Sequence, residues 1–172
     1  MKKLLVGLGN PILGDDGVGW RVVESVQEQM QTEARYKLPY RRLDSKTVEH
    51  LCPVAFEYLS LGGLSLMEHI LGYEHVIIVD SMETGQKPIG SVAVFPLEAL
   101  PDPMAGHSAS IHDATLKTAL RAAELLGAEI PGKVDIVAIE AENVYDFSEQ
   151  LSEPIAAAVP LAAERVFELL EQ

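Results

Sequence analysis

Three short stretches of this chain read as strands of one buried sheet. KLLVGL (residues 3–8) and EHVIIVD (74–80) are apolar at nearly every internal position, and KVDIVAIE (133–140) follows a similar habit. A strand with one wet face alternates apolar and polar residues, whereas a continuous apolar run belongs to a parallel sheet covered on both sides. Parallel strands need crossover connections, and the spacing supplies them. Val18, Val22, Val26 and Met30 recur every fourth residue, which predicts an amphipathic helix over residues 17–32. A strand over 54–61 ends in Gly62-Gly63 and leads into a short helix through SLMEHIL. HDATLKTALRAAELLG (112–127) reads as a helix stopped by Gly127, and Ile155, Val159, Ala162, Val166 and Leu169 mark a last helix. GSVAVFPL (90–97) is a further strand, placed at a sheet edge by Pro96. Residues 34–53 are Pro-punctuated and give no clear element. Strands alternating with helices predict an α/β fold with a mostly parallel sheet, helices on both of its faces, and a single domain over residues 1–172.

Composition removes several classes of function. No apolar run approaches the roughly 20 residues needed to cross a bilayer. The opening MKKLLVGLGN breaks at Gly7 without a signal-peptide cleavage pattern, so a soluble cytoplasmic protein without a membrane partner is expected. Thirteen basic against 26 acidic residues give a net charge of -13, which repels a phosphate backbone over most of the surface and argues against a nucleic-acid partner. The single cysteine, Cys52, allows no internal disulfide, fits a reducing compartment, and is expected to be structural. A monomer is the expected state.

In such folds the working site lies at the carboxyl ends of the strands. Asp15 and Asp16 follow the first strand in LLVGLGNPILGDDGVG, Asp80 ends the VIIVD strand, and His112 opens a helix after the long loop at 98–111. Asp15 is expected to cap the helix behind it. Asp16, Asp80 and His112 are the candidate site. Two carboxylates brought to one rim repel unless a proton or a cation lies between them, and two oxygens with an imidazole nitrogen suit nickel or zinc better than calcium. Other chemistry is poorly supplied. Gly7 and Gly9 form only part of a dinucleotide fingerprint, because Ile12 stands where the third glycine belongs, so no nucleotide cofactor is expected. Ser81, Ser108 and Ser110 sit in no nucleophile motif. His69 and His75 read as surface or edge residues, and His107 as loop or an accessory ligand.

GLGNPILGDDGVG, Gly62-Gly63, VIIVDSMETGQKPIG and SASIHDATL together, in this order over nearly the whole chain, resemble the hydrogenase maturation endopeptidases, the proteases that finish the large subunit of nickel-iron hydrogenases. The resemblance implies a three-layer α/β/α fold and removal of a C-terminal extension from the large-subunit precursor once nickel has been inserted. It also implies metal contact through Asp16, Asp80 and His112, these three being the catalytic residues as well, with the nickel carried by the precursor. Whether that metal polarises the peptide carbonyl or a carboxylate activates water is open at this point. The stretch 34–53, with Arg35, Lys37, Arg41 and Arg42, is longer and more basic than the corresponding family link, and Ala141 stands where many relatives carry proline. Two alternatives stand beside this reading. One is a nickel-binding chaperone that engages the precursor without cutting it. The other is peptidyl-tRNA hydrolase, whose opening LLVGLGNP is similar to but whose Thr-Arg-His-Asn continuation is replaced here by Asp15-Asp16.

Overall fold

The computed structural model describes residues 2–32, 54–100 and 111–172, with the backbone alone for 111–115. The expectations placed on 34–53, Cys52 and His107 lie outside the described residues. The chain runs β1 (Lys3–Leu8), α1 (Val18–Thr32), β2 (Val54–Leu59), α2 (Gly63–Ile70), β3 (His75–Met82), β4 (Val92–Pro96), α3 (Ile111–Leu125), β5 (Lys133–Glu140) and α4 (Glu153–Leu170). The strands form one sheet in the order β2-β1-β3-β5-β4. β1 lies parallel to both β2 and β3, and β3 lies parallel to β5. Only β4 runs antiparallel, on the outer side of β5. Pro96, which cannot donate to a ladder, ends this edge strand, as its position in the sequence predicts.

The apolar runs are buried because helices cover both faces. β1 and β3 are buried at every position. Alternation along each strand sends Leu5, Ile77, Val79, Val137 and Ile139 towards α1 and α4, where they meet Val22, Val26, Ala162 and Val166. It sends Leu4, Val6, Val76, Ile78 and Ile136 towards α2 and α3, where they meet Leu66, Ile70, Leu116 and Leu120. The result is the three-layer α/β/α arrangement, each fully buried Leu or Ile contributing roughly 1.5–3 kcal/mol of transfer free energy. Among the described residues no helix is long and apolar enough to cross a membrane.

Connectivity singles out one place on the sheet. From β1 the chain moves by α1 on one face to β2 on one side. From β2 it returns by α2 on the other face to β3 on the other side of β1. The winding reverses between β1 and β3, so the crevice of the fold opens beyond their carboxyl ends. β3 also runs two residues further than its apolar run suggests, so Asp80 lies within the strand, with buried Ser81 and Met82 completing it.

The opposite, amino edge is closed by a buried polar cluster. His75 is 1% exposed, not the edge residue that its place at a strand start suggests, because α1 and α4 cover this face. Its Nε2 lies 2.8 Å from Oδ2 of Asp135, and Nζ of Lys133 lies 3.0 Å from the same oxygen. Beside them the Nζ of Lys3 donates at 2.6 Å to the carbonyl of Leu170, a cation at the C-terminus of α4 where the helix dipole favours one. Burial holds the His75 pKa below its ordinary 6.5, outweighing the hydrogen bond and charge of Asp135, which act upward. The unfolded chain therefore takes up this proton at a higher pH than the folded one, and acidification favours unfolding. Folding stability is expected to decline as pH falls from the ordinary imidazole value of 6.5 towards the lower folded value, with His75→Gln flattening the decline. Urea midpoints measured between about pH 7.5 and about pH 5.5 check this.

Candidate active site

The arm after β1 is folded back on itself by its own backbone. The amide of Leu13 donates to the carbonyl of Asn10 at 3.0 Å, and the amide of Asp16 donates to the carbonyl of Leu13 at 3.1 Å. At its root the amide of Gly9 donates to Leu59 of β2 at 3.1 Å, and the hydroxyl of Ser60 donates to the Gly9 carbonyl at 2.7 Å. Gly9 has φ +113, and a Cβ there would lie 1.8 Å from the backbone oxygen of Asp16. Only glycine lets the chain turn this tightly onto Asp16, a backbone reason for the glycine at this position.

The neighbouring aspartates have separate surroundings. Asp15 is 1% exposed and sits in a 3-10 turn over Gly14–Gly17. It does not cap α1. Its Oδ1 accepts the amide of Ser152 at 2.7 Å and its Oδ2 accepts the Ser152 hydroxyl at 2.9 Å, so it fixes the residue that begins α4 instead. The 3-10 turn explains the difference: it is inserted between the arm and Val18, so α1 begins too late for Asp15 to reach its free amides. Asp16 is half-buried and turned towards the crevice. Its Oδ2 accepts the amide of Asn10 at 2.6 Å, and its Oδ1 accepts the hydroxyl of Ser81 at 3.1 Å.

Ser81 joins the two strands' contributions. Its amide donates to Oδ1 of Asp80 at 2.9 Å while its hydroxyl holds Asp16. One residue of β3 therefore binds both carboxylates at the winding switch between β1 and β3. Asp80 itself is 2% exposed and lies in register with Ala138 of β5. By the alternation of β3 it shares the face of Val76 and Ile78, the face covered by α2 and α3. His112 lies in the first turn of α3, and its side chain is outside the described residues. The short link 126–132 returns the other end of α3 to the amino edge at Lys133, so the first turn of α3 points towards the edge that carries Asp80. Among the described residues no three metal-ligating side chains converge. The Asn10 and Ser81 contacts each use one lone pair of an Asp16 oxygen, so that carboxylate retains capacity for a cation.

Two contributors had no signal in a motif. Ser81 follows Asp80 directly, but only the β1–β3 adjacency shows that its hydroxyl meets Asp16. Glu140 ends β5 and is 4% exposed. Its carboxylate accepts the amides of Thr84 and Gly85 at 2.9 and 2.7 Å and the Thr84 hydroxyl at 2.7 Å, tying down the chain leaving β3. A lone carboxylate closing a buried strand was its only sequence trace.

The family model described as hydrogenase maturation protease, HycI, matches residues 61–169. The chain belongs to the hydrogenase maturation protease family. It is 26% identical over 97% of its length to the hydrogenase expression/formation protein HoxM of Cupriavidus necator, covering 73% of that protein. It is 25% identical over 100% of its length to the hydrogenase 2 maturation protease of Escherichia coli, covering 92% of that protein. The solved structure of the hydrogenase maturating endopeptidase HybD from Escherichia coli superposes with a TM-score of 0.69 at 23% identity, over 99% of this chain and 93% of that one. As a member of this protease family the chain is a peptidase, and its five-stranded, mostly parallel sheet is the fold of that neighbour.

The unequal surroundings of the paired aspartates give a sharp expectation. Asp15→Ala removes two hydrogen bonds to a buried carboxylate and should cost roughly 3 kcal/mol in urea unfolding. Asp16→Asn, at a half-buried position, should cost less than about 1 kcal/mol in the same measurement.

Proposed function

We propose that this protease removes the C-terminal extension of a nickel-iron hydrogenase large-subunit precursor after nickel insertion, and that Asp16, Asp80 and His112 recognise the nickel held by that substrate. The observation that carries the reading is the Ser81 junction, which binds the carboxylates of Asp16 and Asp80 at one rim. Two carboxylates that share one serine at a rim are a setting in which a cation is favoured between them. A set of three protein ligands leaves positions open for donors that a metal already has in its own protein, which suits a shared metal better than a resident one. His112 supplies the nitrogen from the start of α3 in this reading. A precursor without nickel lacks the group that the two carboxylates attract, so it docks poorly and escapes cleavage. The family membership and the peptidase class support the reading from the side of chemistry.

The test is incubation of the protein with nickel-loaded and nickel-free precursor, followed by the mass of the large subunit. Shortening of the loaded form alone is expected. Binding without shortening would assign a chaperone, and shortening of both forms would remove nickel recognition. Asp16→Asn, Asp80→Asn and His112→Ala are each expected to abolish processing while preserving the circular dichroism spectrum. Ser81→Ala, which only orients the carboxylates, should slow processing by about tenfold or more, the range found for groups that position metal ligands.

A further inference from the structure

Apolar side chains collect on the loops beside Asp16. Tyr145 is 76% exposed, Phe147 88% and Ile12 45%. Ile12 belongs to the arm that carries Asp16, and the two aromatics belong to the segment after β5. The two loops are joined by a parallel bridge between Leu13 and Ser148. The amide of Gly14 donates to Ser148 at 2.7 Å, the amide of Ser148 to Ile12 at 3.1 Å, and the amide of Asp15 to Asn143 at 3.2 Å. The register of the bridge puts Ile12 and Phe147 at matching positions on the two loops. Gly14 has φ +54, and a Cβ there would lie 2.8 Å from the carbonyl of Asn143, so the loops touch at backbone distance. The Asp15 clamp on Ser152 closes the same assembly from below. Large aromatics left in water on a fixed support, rather than on a loose tail, mark a binding surface.

The rim of this surface is charged in one sense. Glu142, Asp146 and Glu149 are exposed and interleaved with Tyr145 and Phe147 in ENVYDFSE. The neighbouring cation, Arg21, is already engaged, donating to Glu24 at 3.0 Å and to the Glu149 carbonyl at 3.3 Å. An apolar centre ringed by carboxylates is complementary to a protein segment that presents apolar side chains flanked by Lys or Arg. An anionic lipid surface or a nucleic acid would be repelled by the same rim. We propose that Ile12, Tyr145 and Phe147, with Glu142, Asp146 and Glu149 around them, form the platform on which the precursor docks through an apolar, cationic segment. This rests on the reading of the protein as a precursor-processing protease. Ile12 and Asp16 share one closed loop, so a segment seated on the platform lies beside the carboxylate that meets the substrate's nickel.

Processing kinetics on nickel-loaded precursor test the platform. Tyr145→Ser/Phe147→Ser should raise KM by about tenfold or more and leave kcat within about twofold, as loss of aromatic anchors at an interface centre does. Raising salt from about 50 to about 300 mM should raise the wild-type KM, and Glu142→Gln/Glu149→Gln should blunt that dependence. Phe147→Ser alone gives a milder version of the first effect in case the double variant folds poorly. An unchanged KM in the aromatic variants overturns the platform while leaving the protease reading intact, and a salt-independent wild-type KM overturns its cationic partner. Wild-type protein that binds the loaded precursor without shortening it overturns the protease reading instead. The same variants are then compared by dissociation constant, where a tenfold loss supports the platform and unchanged affinity overturns it.

Discussion

The carboxylate of Asp15 is the fixed point of the molecule's working edge. It lies in the turn between β1 and α1, yet both its oxygens are spent on Ser152, at the start of α4. A buried carboxylate is tolerated only when its oxygens are satisfied, so this geometry is closely specified. Once Ser152 is fixed, the segment from Ala141 to Ser152 must pass beside the Asp16 arm, and the Gly14, Asp15 and Ser148 amides find their acceptors there. The position of Asp16 is inherited from that assembly. The adjacent aspartates are thus chemically identical and physically opposite, one closed by the fold and one facing the crevice.

The two edges of the sheet divide the labour between stability and chemistry. α4 is held at its far end by Lys3 of β1, through the Leu170 carbonyl, and at its near end by Asp15, which follows the same strand. β1 and the arm that follows it therefore set both ends of the longest described helix. At the amino edge the titratable groups pair with one another, His75 with Asp135 and Lys133 with Asp135. At the carboxyl edge, Asp16 is held by the Asn10 amide and the Ser81 hydroxyl, both neutral donors. Neutral donors fix the direction of a carboxylate without cancelling its charge. That is the condition under which a rim can attract an external cation.

Much of the fold was legible because burial on both faces leaves a plain mark. KLLVGL, EHVIIVD and KVDIVAIE all became strands of the central sheet, and the four-residue spacing of Val18, Val22, Val26 and Met30 became the buried stripe of α1. The carboxyl-edge rule selected Asp16, Asp80 and His112; Asp16 and Asp80 both contact Ser81, and the His112 side chain lies outside the described residues. What stayed hidden was decided by contacts distant in sequence. His75 read as an edge residue because nothing near it records that α4 will cover it. Asp15 read as a local cap because Ser152, its partner, lies 137 positions away. Ser81 and Glu140 carry no motif, since a hydroxyl or a lone carboxylate gains its meaning only from the strand beside it.

The proposed anchoring surface and the proposed nickel-binding carboxylate share one arm, and that arrangement has an energetic logic. A protein substrate docked through a distant surface loses any advantage if the connecting chain is free to move, because the reacting groups must then be brought together again. Here the arm has little freedom between Ile12 and Asp16. Gly9 and Gly14 press it against neighbouring backbone, Asn10 closes it onto the Asp16 carboxylate, and Asp15 anchors it to α4. Contact energy gained at the proposed platform of Ile12, Tyr145 and Phe147 would therefore be transmitted to the position of the scissile segment rather than lost in a flexible loop. In the proposed reading, recognition of nickel by Asp16 and Asp80 and recognition of the polypeptide by the platform are two tests applied to one rigid docking event, so a precursor that meets only one of them would be held too briefly to be cut.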